Sequence, residues 1–339
     1  MKKTLIALAL AALPVAAMAD VTLYGQVKGG LEYTKVKNVD NTVTNINDWG
    51  SRIGFKGEED LGNGLKTIWQ LEQDVSLDHK GDNWTSKRDS FIGLATPFGT
   101  VKAGYLSGQL KGDMETVDQW EGNGVRTLGI YTRTSKRYTA VRYDTPEFAG
   151  FSANLLYSPE DNSRFDQARD AIPGTVKDLL DEGFGGLTAA APAINPPTKN
   201  RSVTELGLNY ANSGFFAKYG YSLRNVGAND AKEGHVHRVE GGYDANNLFV
   251  AIGYQHTKNV DGADEKVNEI AVTGAYTIGN VTPRLSYAHG FSDFKYDQVI
   301  GGVDYALSKR TTALLSAGWL KFDKEDQAYS VGLGLRHKF

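Results

Sequence analysis

The chain has 339 residues, no cysteine, 37 Lys and Arg against 40 Asp and Glu, and a formal net charge of -3. Near-balanced charge offers no basic face for nucleic acid, and the lack of thiols excludes a disulfide framework, thiolate chemistry and cysteine metal sites. Glycine (39) and tyrosine (17) are abundant, as strands and turns favour. After residue 19 no run approaches the roughly 18 to 20 continuous apolar residues that a membrane helix needs.

Met1 to Ala19 carries Lys2 and Lys3, an apolar run from Leu5 to Ala17, and the small-residue end Ala17-Met18-Ala19. This reads as a removable secretory signal. Cleavage after Ala19 leaves 320 residues from Asp20 onward with a formal charge of about -5. From there, segments of about 8 to 14 residues alternate apolar with polar side chains, the period of strands with two unlike faces. In the first, Val21, Leu23, Val27, Leu31 and Tyr33 oppose Thr22, Gln26, Lys28 and Glu32. In the second, Trp49, Ile53 and Phe55 oppose Arg52, Lys56 and Glu58. In the third, Trp69, Leu71 and Val75 oppose Lys66, Gln70, Glu72 and Asp74.

The segments come in pairs joined by tight turns rich in Gly, Asn, Asp, Pro or Ser: Asp60 to Gly64, Thr145 to Gly150, Ala211 to Gly214, Asp244 to Asn247, Thr277 to Asn280 and Leu307 to Arg310. The opposite connections are long and polar: Val36 to Asp48, Ser107 to Ser135, Pro159 to Arg201 and Asn225 to His235. The third of these includes Ala189 to Pro197, linker-like in composition, and one helical turn is expected around Val176 to Glu182. Regular alternation of short and long connections gives the sheet two unlike rims, as in an outer-membrane barrel. The last segment, Tyr329 to Phe339, places Tyr329, Val331, Leu333 and Leu335 on one face and ends on an aromatic.

About sixteen strands at roughly twenty residues each, loop included, account for the exported chain. The expected fold is all-β: a transmembrane, 16-stranded, antiparallel up-and-down barrel over 20–339, greasy outside and wet inside. A one-residue slip would carry lumenal charges into lipid at roughly 2 to 4 kcal/mol for each Arg or Lys at midplane, so register is tightly specified. Tyr33, Trp49, Trp69, Tyr143, Phe215, Tyr243, Tyr276, Trp319 and Phe339 lie toward segment ends, where interface girdles would sit.

Several runs spread from end to end resemble the Gram-negative general porins, and the neisserial branch closely. They are Asp20 to Gly25, Ser51 to Lys66, Ser90 to Leu94, Arg142 to Asp144 with Pro146 to Gly150, Gly279 to Arg284 with Ser286 to Phe291, Ser308 to Thr311, and Gly332 to Phe339. The resemblance implies a homotrimer of 16-stranded barrels in the bacterial outer membrane, each a passive water-filled channel for ions and small hydrophilic solutes. It implies a third external loop folded inward, surrounding lipid and lipopolysaccharide, and recognition by the barrel assembly machinery through the C-terminal strand, with Phe339 as assembly signal. No cofactor and no catalytic group is implied.

In that family basic wall residues face acids on the third loop. By motif the basic slots fall on Arg52, Arg88 and Lys136, with Arg142 on the same parity as Lys136, and Lys28 and Lys102 facing the lumen by parity. Gln26 stands where enteric porins carry lysine, and Lys28 is positioned to replace it. The third loop carries Asp113, Glu115, Asp118 and Glu121 beside Lys111, Arg126 and Arg133. It lacks the enteric Pro-Glu-Phe-Gly run. Asp113, Glu115 and Asp118 are taken as the acids of the constriction. Lumenal bases outnumber lumenal acids by parity, so a mild anion preference is expected.

Other readings fare worse. An enzyme lacks its motifs: no Gly-x-Ser-x-Gly, no phosphate-cradling loop and no dinucleotide fingerprint occurs. His235 and His237 share a face without a third ligand at suitable spacing, so no metal site is expected. A soluble β-sandwich does not account for the meander ending on Phe339. A sugar-specific channel would line its path with aromatics, whereas Tyr24, Tyr138, Phe216 and Phe249 are scattered over distant strands.

Overall fold

A computed structural model describes residues 21–37, 42–78, 88–159, 202–225, 233–259, 266–322 and 327–339. The expected leader and the features expected near residues 176–182 and 189–197 lie outside them. Seventeen β-segments form one antiparallel sheet that closes on itself. In chain order they are β1 (Thr22–Val36), β2 (Thr42–Asp48), β3 (Arg52–Gly62), β4 (Leu65–Asp74), β5 (Ser90–Thr96), β6 (Gly99–Ser107), β7 (Arg137–Asp144), β8 (Phe151–Ser158) and β9 (Ser202–Asn212). There follow β10 (Phe215–Asn225), β11 (Gly234–Ala245), β12 (Leu248–Lys258), β13 (Lys266–Tyr276), β14 (Val281–Gly290), β15 (Tyr296–Ala306), β16 (Thr311–Phe322) and β17 (Gln327–Lys338).

β2 and β3 are two halves of one wall strand. β2 pairs with Gly29 to Lys35 of β1, and β3 continues along Thr22 to Gln26. The wall therefore has sixteen strands. Closure is made by β1 against β17 from Gln26↔Lys338 to Val36↔Ala328. It is finished by Phe339, whose N–H donates to the Gly25 carbonyl and whose carbonyl accepts from Gly25, both at 3.1 Å. Gly25 has no side chain because the Phe339 ring occupies that place on the outer face.

The interruption between β2 and β3 corrects one expectation. Asp48 Oδ1 accepts from the N–H groups of Gly50 (2.7 Å) and Ser51 (2.9 Å), and Gly50 takes φ +93°. This bulge inserts a residue and shifts parity by one. Trp49 therefore turns into the lumen, buried beneath the Arg126 guanidinium, and is not a girdle aromatic.

Elsewhere parity holds. Leu31, Leu71, Ile92, Ile252, Leu285 and Leu333 are more than half exposed on the outer face. Residues of the opposite parity, such as Glu32, Glu72, Arg238, Glu240 and Glu269, are buried inside. In a lipid surround this pattern is required, because unpaired backbone groups and charges have no water partners there. The tight turns follow local chemistry. Asn63-Gly64, Ser213-Gly214 and Asn246-Asn247 each place both central residues at positive φ, the twist that suits two-residue hairpins.

Candidate functional site

The connection between β6 and β7, residues 108–136, leaves the rim and packs on inward-facing side chains across the lumen. It contains a helical turn at Gln109–Gly112 and a 3-10 turn at Gly124–Arg126. An irregular segment in such a place cannot satisfy its carbonyls by a ladder, and buried backbone groups need partners. The wall supplies them. Lys218 Nζ of β10 donates to the Asp113 carbonyl (2.6 Å), and the Thr273 hydroxyl of β13 donates to that of Val117 (2.5 Å). Arg284 of β14 donates to the Gln119 carbonyl, and Gln298 Nε2 of β15 to those of Val125 (3.1 Å) and Thr127 (2.7 Å). In return, the Leu110 and Thr116 N–H groups donate to buried Glu205 (3.3 Å) and Glu240 (2.7 Å), and Trp120 Nε1 donates to Ser286 (2.8 Å).

Apolar packing supports the same arrangement. Val117, Val125, Leu128 and Tyr131 of the loop form one buried cluster with wall residues Ala251, Ala271, Ala288, Tyr296, Ile300 and Leu320. Fully burying one large apolar side chain stabilises by roughly 1.5 to 3 kcal/mol, whereas ordering the backbone costs about 1 to 2 kcal/mol per residue. Leu110 and Met114 of the loop are buried against Val236 of β11 as well, and over a connection of this length six such side chains do not offset that cost alone. The wall hydrogen bonds are therefore part of what fixes the loop. The wall is also cut to receive it: a Cβ at Gly302, Gly318 or Gly332 would strike Trp120, Val125 or Arg126 respectively.

The predicted bases face the lumen in a sector built by β1 and β3 to β7. Arg142 NH2 meets Asp113 of the loop (2.6 Å) and Asp144 (2.7 Å), and Lys102 Nζ meets the same Asp144 (2.8 Å). Arg88 is clamped between Glu72 and Asp74, the latter at 3.0 Å, and Tyr24 donates to Glu72 at 2.9 Å. Arg52 lies 3.7 Å from Glu72 and keeps a third of its side chain exposed. Lys56 stands over the Tyr24 ring at 5.5 Å. Lys28 reaches Glu121 of the loop at 2.5 Å. Lys136 sits one residue before β7, not in the strand, and its carbonyl accepts from Gly108 N–H at 3.0 Å.

The predicted acids divide. Asp113 meets the wall through Arg142, but Glu115 pairs within the loop with Lys111 at 3.5 Å. Asp118 caps its own loop, accepting from Trp120 N–H at 3.4 Å. Burial, with the Glu115 carboxylate beside it, pushes the Asp118 carboxyl up to about 7. The acid that joins loop to basic wall most directly is Glu121, which bridges Lys28 of β1 and Arg336 of β17, each at 2.5 Å. Burial alone would raise Glu121, but the Lys28 ammonium and the Arg336 guanidinium outweigh it and hold the carboxyl below the usual carboxylate range. Sequence reasoning noted Glu121 without selecting it. Its signal was distant in sequence: inward Lys28 and Arg336 stand on adjacent strands, paired in register with each other.

The described histidines bond to neighbouring side chains. His237 and His256 are cross-strand partners on the outer face, His237 bonded to Tyr219 and His256 to Asn268. Among the described residues no group of three potential metal ligands occurs.

A closed sixteen-strand barrel with a wet, charged bore defines a transmembrane channel, and comparison with known proteins agrees. The profile of the family described as Gram-negative porin matches residues 18–339. The chain is 44% identical to major outer membrane protein P.IB of Neisseria sicca and 38% identical to major outer membrane protein P.IA of Neisseria meningitidis serogroup A, covering all of each chain. Among solved structures it is similar to the anion-selective porin from Comamonas acidovorans, with TM-score 0.72 and 21% identity over 95% of this chain and all of that one. Salmonella typhi OmpF in complex with daunomycin gives TM-score 0.68 and 19% identity over 95% of this chain and 98% of that one. The chain belongs to the Gram-negative porin family: it is an outer-membrane channel protein, not an enzyme.

Proposed function

We propose that this porin is a general diffusion channel for ions and small hydrophilic solutes. Segment 108–136 is its constriction, and a mild anion preference arises at that constriction. The observation that carries this reading is the one-sided packing of the loop. Its apolar residues pack against β11 to β16, which leaves passage along the opposite sector, where Arg142 meets Asp113, Lys28 meets Glu121, and Arg52, Arg88 and Lys102 pair with the wall acids Glu72, Asp74 and Asp144. Side-chain charge there biases which ions enter, while several weak sites let them leave. The exported chain is taken to begin at Asp20 and to work as a homotrimer among lipid and lipopolysaccharide, inserted through its C-terminal strand.

Single-channel recording with Arg52→Gln and Arg88→Gln tests the reading. Both variants should assemble as detergent-resistant, heat-modifiable oligomers and lose anion preference. Arg52→Gln should lose more, because Arg88 is already neutralised by two carboxylates. No change from either would move the constriction elsewhere. Liposome swelling should vary smoothly with the size of neutral solutes; a single fast outlier would favour a specific channel.

A further inference from the structure

We propose that Arg126 is the positioning residue that holds the far end of the 108–136 loop against the wall and so sets the steadiness and width of the bore; this rests on the constriction reading above. The loop is covalently anchored only at β6 and β7. Arg126 reaches the wall on the other side of the ring, and it is the loop's one fully buried charge among the described residues. Its guanidinium pairs with Glu32 of β1, donates from NH1 to Ser316 Oγ of β16 at 2.9 Å, and lies 4.8 Å from the centroid of the Trp49 ring. Glycine at 332 of β17 is what leaves room for it. Glu32 is itself held by Asn47 of β2. Four wall segments thus converge on one loop side chain.

The chemistry suits arginine in particular. A planar fork can serve a carboxylate and a hydroxyl at once while its face rests on an indole, which an ammonium cannot reproduce in full. The contrast with Glu121 is instructive. Glu121 and its partners are in part open to solvent, with side chains 12 to 21% exposed, so salt weakens those pairs. The Arg126 contact is dry and escapes screening. It is therefore the tether that persists at high ionic strength. The bulge that turns Trp49 inward gains a purpose from this, because without it the indole would face lipid and the guanidinium would lose its platform.

The test uses full-length porin reconstituted in planar bilayers, with Arg126→Met, Arg126→Lys and the double variant Glu32→Gln/Arg126→Met. The double variant leaves no orphaned carboxylate, so it assembles even where the single Met variant does not. In the double variant, time spent in reduced-conductance states should rise about tenfold or more, as loss of a charge-assisted contact in a dry site implies. The effect should persist in about 1 M salt, where the Debye length is near 3 Å. Arg126→Lys should restore part of the native steadiness. A double variant with native conductance and quiet current overturns the proposal, even if its oligomer melts earlier, since that is all a purely structural role would change. If Arg52→Gln still alters selectivity in that case, only the Arg126 assignment falls; if both are silent, the constriction reading falls with it.

Discussion

Neutralising Glu121 is the most direct probe of the field in the bore. Glu121→Gln keeps the shape of the side chain but removes one negative charge between Lys28 and Arg336 and leaves one acceptor oxygen where two accepted from them. Their two positive charges, with Arg52 and Lys338 close enough to feel Glu121, are then left uncompensated. For an ion passing about 6 Å away through water, removing a unit charge changes the interaction energy by about 0.7 kcal/mol, roughly threefold in local concentration. Reversal potentials measured across a salt gradient at about 0.1 M should therefore move toward anions by about that permeability ratio. The shift should shrink when both chambers are near 1 M, where screening shortens the reach of the charge to about 3 Å. A reversal potential that stays put at low salt, or moves toward cations, would refute the placement of Glu121 beside the conduction path.

Three further outcomes are expected. The folded-state pKa of Asp118 is raised to about 7, so its contribution to loop docking is present at acid pH and is lost as pH rises through neutrality. Anion preference should accordingly decline between about pH 6 and 8 in the native channel and stay flat in Asp118→Asn, read from reversal potentials across that range. Gly318→Val should drive a side chain into the Val125 carbonyl and displace the loop, changing single-channel conductance while heat-modifiable migration on gels persists. Ile252→Arg, on the outward face where Ile252 is 59% exposed, should lower stability in refolding titrations in lipid by roughly 2 to 4 kcal/mol, whereas a polar replacement at its inward neighbour Ala251 should act on the loop instead.

The barrel was legible because a period of two with charges on one face leaves few alternatives: Lys28, Glu32, Glu72 and Glu240 all lie inside by simple parity. Trp49 was misread because a bulge announces itself only weakly. The Asp48-Trp49-Gly50-Ser51 run has an Asx turn written into it, and the glycine at positive φ is its one local sign. The individual acids of the loop were harder still, since an irregular segment has no period, and whether Glu115 turns to Lys111 or to the wall depends on contacts more than a hundred residues away. One clue was available and unused. Small residues at inward positions (Ala251, Ala271, Ala288, Gly302, Gly318, Gly332) are concentrated in β12 to β17, and in a bore meant for water, small apolar lining over so many strands marks a surface that something else covers.

That lining has a consequence for anyone who would enlarge this channel by trimming its loop. The excision would uncover a strip of Ala251, Ala271, Ala288, Ile300 and Leu320 on β12 to β16, so about a third of the new circumference would carry apolar patches that wet poorly. Such a tube, though broader by geometry, is prone to drying and would conduct less than its diameter suggests. Widening it in earnest demands that the bared strip be rewritten with hydroxyls and amides at the same time.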